Sequence, residues 1–215
     1  MSRNDITRQD ITRRLLEAAG TTYADEAGIT LDDKPMPLFE LLTLCMLASK
    51  PIDAAIATRA ARELFAEKLR TPATVLAADR TTMIEAFGRA GYARYDESSA
   101  TRLVDIATAV RDDYDGDLRG LASRAGKDVA HAKKLLQQFT GIGDTGADIF
   151  LREVQDVWTW VRPYFDSRVT DAAIGLGLPG GAEKLAELAG SECARLAAAL
   201  VRVSLDTGLR EKLTQ

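Results

Sequence analysis

The sequence predicts an all-α fold. Three observations carry that expectation: apolar residues recur at helical spacing, helix caps and stops punctuate the chain, and no alternating run is long enough to argue for a sheet. Leu103, Ile106, Ala107, Val110 and Tyr114 form one amphipathic stripe. Leu196, Ala199, Leu200 and Val203 repeat the pattern near the C-terminus. Thr71-Pro72 supplies an N-cap followed by proline at the first helical position, and Asp53 caps the run Ala54-Ala55-Ile56-Ala57. Gly20, Gly91, Gly116 and Gly126 mark stops. About ten to twelve helices joined by short turns are expected.

In chain order, an N-terminal helix gives way to a linker at 21–37, where Gly28, Asp32-Asp33, Pro35 and Pro37 cluster. A helical block follows over 38–157. The next stretch, 158–166, is irregular and holds Pro163 with Trp158, Trp160, Tyr164 and Phe165. The expected architecture has two lobes. One is the block 38–157; the other combines 1–37 with 158–215, and a cleft separates the two.

Composition narrows the class. At 215 residues, 46% hydrophobic and 28% charged, the chain suits a globular protein with a buried core. No stretch approaches the roughly 20 apolar residues of a membrane helix. Met1-Ser2-Arg3-Asn4-Asp5 leads into polar residues where a secretory signal would be apolar, so a cytoplasmic protein without membrane attachment is expected. The net charge of −4 gives no global pull toward nucleic acid, but the field at one face depends on arrangement. Cys45 and Cys193 lack metal-ligand spacing, and a zinc or iron–sulfur centre usually takes four ligands. They are expected to be buried thiols, with no metal site.

The most informative segment is Phe139-Thr140-Gly141-Ile142-Gly143-Asp144-Thr145-Gly146. It separates an expected helix at 127–138 from another at 144–157. Glycines at 141 and 143 permit a sharp turn and leave backbone N–H groups uncovered. The N-terminus of the second helix adds a positive dipole end, so the segment suits a phosphate. The alternative is a glycine turn between two packed helices.

With these residues in view, the chain resembles the helix-hairpin-helix DNA glycosylases of the endonuclease III-like superfamily. Their hairpin reads apolar-Pro-Gly-apolar-Gly, and a catalytic aspartate follows after a loop. Asp166, in Pro163-Tyr164-Phe165-Asp166-Ser167-Arg168-Val169, follows Gly143 by the appropriate interval. Leu47-Ala48-Ser49-Lys50-Pro51-Ile52-Asp53 is similar to the loop after the family's first barrel helix. Gly91-Tyr92-Ala93-Arg94-Tyr95 is similar to the turn that opens its next long helix. The resemblance covers roughly residues 38–207.

The resemblance implies double-stranded DNA as partner and base-excision repair as function. Gly141, Ile142, Gly143 and Thr145 would contact the backbone, with Lys50, Lys133 and Lys134 as DNA-binding cations. Asp166 would stabilise the oxocarbenium ion or orient water once the base is flipped out. A monomer is expected. The departures are equally informative. Lyase members carry a Schiff-base lysine where Thr145 stands, so a monofunctional enzyme is expected. Lys50 occupies a position where the family often has glutamine. Thr140 replaces the hairpin proline, and Asp144 brings negative charge to the phosphate site. The chain ends at Gln215, where many relatives place four cluster cysteines, so no iron–sulfur cluster is expected.

Other residues admit two roles. Arg124, Lys127, Lys133 and Lys134 form the best local basic run, either a solvated helix face or a phosphate contact. His131 reads as a surface or partly packed side chain. The four aromatic residues of 158–166 either pack a core or line a base pocket. Asp166 also suits an N-cap for a helix at 167–176. Two rival functions remain open: a DNA-binding module that has lost the chemistry, and a helical interaction protein that never touches DNA.

Overall fold

The structure, a computed structural model, describes residues 7–214; the polar opening read at residues 1–5 and the terminal Gln215 lie outside them. Among the described residues every regular element is helical: α1 (Arg8–Ala19), α2 (Tyr23–Glu26), α3 (Pro35–Ala48), α4 (Ala54–Ala66), α5 (Pro72–Ala77), α6 (Arg80–Ala90), α7 (Asp96–Tyr114), α8 (Arg119–Arg124), α9 (Val129–Leu136), α10 (Asp144–Val154), α11 (Ser167–Gly175), α12 (Ala182–Ala189), α13 (Cys193–Leu205) and α14 (Thr207–Thr214). Two short 3-10 turns, Ala93–Tyr95 and Thr159–Val161, complete the list. No described helix is long and apolar enough to cross a membrane.

The chain divides into two units, 23–151 and 1–22 with 152–215. The division falls at 22/23 and 151/152, whereas the linker and aromatic signals place it at 37/38 and 157/158. Residues 23–37 go with the larger unit because α2 packs on α4 and Ile29 is buried. That stretch is not a plain linker: α2 lies within it and α3 begins at Pro35.

In the larger unit α3 is the central helix. Every residue from 37 to 47 is buried, as expected of a helix apolar on all sides. Its polar members are satisfied internally: the Thr43 hydroxyl donates to the Phe39 carbonyl at 3.0 Å, and Glu40 pairs with Arg70. Helices α4 and α7 pack directly on α3. Asp53 caps α4 by accepting from the Ala55 amide, and Thr71 caps α5 through a reciprocal pair with Thr74. The α7 stripe is buried as its spacing requires.

In the smaller unit α13 is central, packed by α1, α11, α12 and α14. Its stripe residues Leu196, Ala199, Leu200 and Val203 are buried. Arg195 ties it to the end of α1 by donating to the Gly20 carbonyl at 3.0 Å.

Candidate nucleic-acid interface and catalytic aspartate

The hairpin is present, with shorter arms than its composition suggests. The first arm is Val129–Leu136 rather than 127–138. Lys127 has φ 59° and lies in the preceding turn, and Asp128 starts the helix by accepting from the His131 amide at 2.6 Å. His131 itself is exposed. After Leu136 the amides of Gln138 and Phe139 bond three residues back, which tightens the chain into the turn. The second arm ends at Val154 rather than 157. There the amides of Val157 and Trp158 converge on the Val154 carbonyl, at 2.9 and 2.7 Å.

The two hairpin glycines do different work. Gly141 has φ +89°, and a Cβ there would sit 2.8 Å from Arg102 Cδ and 3.4 Å from Met46 Cγ. Backbone and packing both demand glycine at 141. Gly143 is exposed, lacks a left-handed φ, and a Cβ on it would meet nothing within 4 Å. Nothing inside the protein requires glycine at 143. Ile142 is a core residue at 3% exposure, and its amide already donates to Phe139 at 3.0 Å. Thr145 is exposed on the first turn of α10.

Gly146 is the glycine that sequence reading missed. A Cβ there would fall on Ser49 Oγ and press on Ile142, so α10 abuts the C-cap of α3. The available signal was a glycine inside a helix, which costs about 1 kcal/mol against alanine and so calls for a packing reason.

Lys50 follows that C-cap. Its ammonium lies 5.7 Å from the Tyr95 ring centroid, and the Arg94 guanidinium lies 5.4 Å from the same ring. The 3-10 turn bearing these residues is anchored by buried Tyr92, whose hydroxyl donates to the Leu47 carbonyl at 2.9 Å. Burial pushes that hydroxyl up to about 12, which keeps it a donor. Tyr92 also packs between Phe87 and Tyr95, at 5.4 and 6.1 Å between ring centroids. The structure thus brings together the loop after α3, the turn before α7 and the hairpin. Among the described residues Lys50, Arg94 and Arg102 have no carboxylate at ion-pair distance.

The basic run named from sequence is broken up. Lys133 bridges Asp144 at 3.0 Å and Asp148 at 2.6 Å, and Asp144 also accepts from the Gln137 side chain at 3.0 Å. Lys133 therefore offsets only part of the charge on the hairpin's own carboxylates. Arg124 lies over the Tyr114 ring at 4.5 Å and donates to the Asp113 carbonyl. Lys134 is exposed, with no ion pair among the described residues.

Asp166 belongs to the smaller unit. It caps α11, one carboxylate oxygen accepting from the Val169 amide at 3.2 Å. The other oxygen pairs with Arg152 on the last turn of α10. The pair is buried, with side-chain exposures of 7% for Arg152 and 8% for Asp166. One turn further on, wholly buried Gln155 accepts from the Tyr164 amide at 2.9 Å and donates to the Tyr164 carbonyl at 3.2 Å. Arg152 and Gln155 thus fix the segment 164–166 at two points, and neither role was legible in the sequence. Trp158 and Phe165 are buried, and Trp158 stacks on Trp160 at 5.5 Å between centroids. Cys45 and Cys193 are both buried.

No protein-family model matches this sequence, and no curated protein does. A solved structure of a trapped endonuclease III–DNA covalent intermediate is similar to it at 15% sequence identity. That likeness covers 92% of this chain and 86% of that chain, with a TM-score of 0.48.

Proposed function

We propose that the protein binds duplex DNA through the larger unit and hydrolyses the N-glycosidic bond of a damaged or mispaired base. The observation that carries the DNA reading is the cluster of cations without carboxylate partners, Lys50, Arg94 and Arg102, gathered beside an open hairpin. A net charge of −4 makes such a local cluster the more informative, since the remaining acidic surface would repel a polyanion. Phosphate contact at the exposed turn 143–145 would position the duplex without reading its sequence.

Asp166 supplies the proposed chemistry. It is held by Arg152 and the Val169 amide, so its carboxylate has one fixed orientation. A fixed negative group of this kind stabilises the positive charge that develops on the sugar as the base departs. Thr145 has no amine for a Schiff base, so the proposed enzyme leaves an abasic site and an intact strand. No iron–sulfur cluster is part of the proposal, because two cysteines cannot supply its ligands. A second reading, a DNA-binding module without catalysis, is favoured by one observation: both oxygens of Asp166 already have partners inside the protein.

Gly143→Val tests the grip. Its Cβ would enter open space, so the fold should be kept by circular dichroism, with a modest loss of stability because valine is a poorer N-cap than glycine. Affinity is expected to fall about equally for all duplexes, with any preference among bases retained. Unchanged affinity in the folded variant would remove the hairpin from the interface.

A further inference from the structure

We infer that Arg102, on α7, is a cation that serves the hairpin's phosphate contact, a part that the basic run offers to Lys133. The inference rests on the proposed DNA grip and names a residue that grip requires. Lys133 and Lys134 are the basic residues nearest the hairpin in the sequence, and Lys133 is already paired with Asp144 at 3.0 Å and Asp148 at 2.6 Å. A phosphate arriving at 143–145 would meet Asp144, which is exposed and only partly offset by that shared lysine. Another positive charge is needed there to make anion binding favourable.

Arg102 meets the requirement. Its aliphatic stem lies against Gly141, Cδ being 2.8 Å and Cγ 3.5 Å from where a Cβ would stand. The guanidinium begins one bond beyond Cδ, so the charge is delivered at the hairpin whichever rotamer its last torsions adopt. Arg102 is half-buried and has no ion-pair partner among the described residues. Half-burial of a long stem limits its freedom, which lowers the entropy lost when the head group binds. The arrangement also explains the two glycines. Gly141 makes the seat for Arg102, whereas Gly143, which the fold itself does not require, keeps the approach to the turn open. The ligand chemistry is a phosphodiester, and its source here is the backbone of duplex DNA.

The test compares the full chain with Arg102→Gln and Arg102→Lys. Duplex affinity is measured across a salt series, and amide shifts at Gly143, Asp144 and Thr145 are followed on adding inorganic phosphate. Arg102→Gln should weaken duplex binding on the order of tenfold and lower the salt slope by about one. Arg102→Lys should keep the slope. Phosphate should move the three amides in the parent and not in Arg102→Gln. An unchanged slope and unchanged phosphate shifts in Arg102→Gln would overturn the inference. Arg102-dependent phosphate shifts in a parent that fails to bind DNA would keep the role of Arg102 toward phosphate but reject duplex DNA as its source, and with it the proposed function. No phosphate response together with no DNA binding rejects both.

Discussion

Replacing Asp166 by asparagine is expected to slow base release by about 100- to 1,000-fold, the usual loss on removing one well-placed electrostatic group. Duplex affinity should fall far less, because the proposed backbone contacts lie on the loop after α3, the turn before α7, α7 itself and the hairpin. The substitution keeps an oxygen for the Val169 amide but strips Arg152 of its counter-charge in a buried setting. Rates must therefore be taken well below the unfolding midpoint of the variant. Single-turnover assays on a competent lesion duplex, with binding measured in parallel, check the expectation. Parent-like base release by Asp166→Asn would mean that this carboxylate serves only as a helix cap.

The largest effect on stability is expected from Arg152→Ala. Removing one member of a buried ion pair leaves the other charge desolvated and unpaired, which typically costs about 3–5 kcal/mol. The loss should spread to segment 164–166, whose other tether is Gln155. Urea unfolding of the single variant and of Arg152→Met with Asp166→Leu separates charge from packing. The double variant should recover most of the loss, since apolar replacement of a buried pair is often neutral or favourable. Equal destabilisation of single and double variants would mean that packing of the arginine stem, rather than the pair, holds the segment.

These pairings set the limit on what the sequence makes legible. Helical class was legible because Leu103 through Tyr114 repeat at helical spacing and because Asp53 and Thr71 are caps whose effect is local. The hairpin was legible for the same reason: the turn lies in one short segment. Asp166 was legible as a cap, because Val169 is three residues away. Its pairing with Arg152, fourteen residues earlier, depends on the path of the intervening chain, which no local pattern encodes. The seat of Arg102 on Gly141 is more distant still. The basic run shows the same limit. Lys133 is adjacent in sequence to Lys134, yet it faces Asp144 and Asp148 across the turn, and charge arithmetic along a segment cannot see that. The compact units divide at 22/23 and 151/152 rather than at 37/38 and 157/158, and for residues 23–37 the reason is that irregular backbone packs into the larger unit as well as helix does.

The most direct measurement incubates the purified protein with a panel of duplexes, each bearing one damaged or mispaired base, and analyses the strands with and without hot alkali. The account predicts release of a free base from at least one duplex, leaving a strand that stays intact until alkali cleaves it at the abasic site. Release of no base from any duplex, or strand cleavage without alkali through a borohydride-trappable adduct, would contradict it.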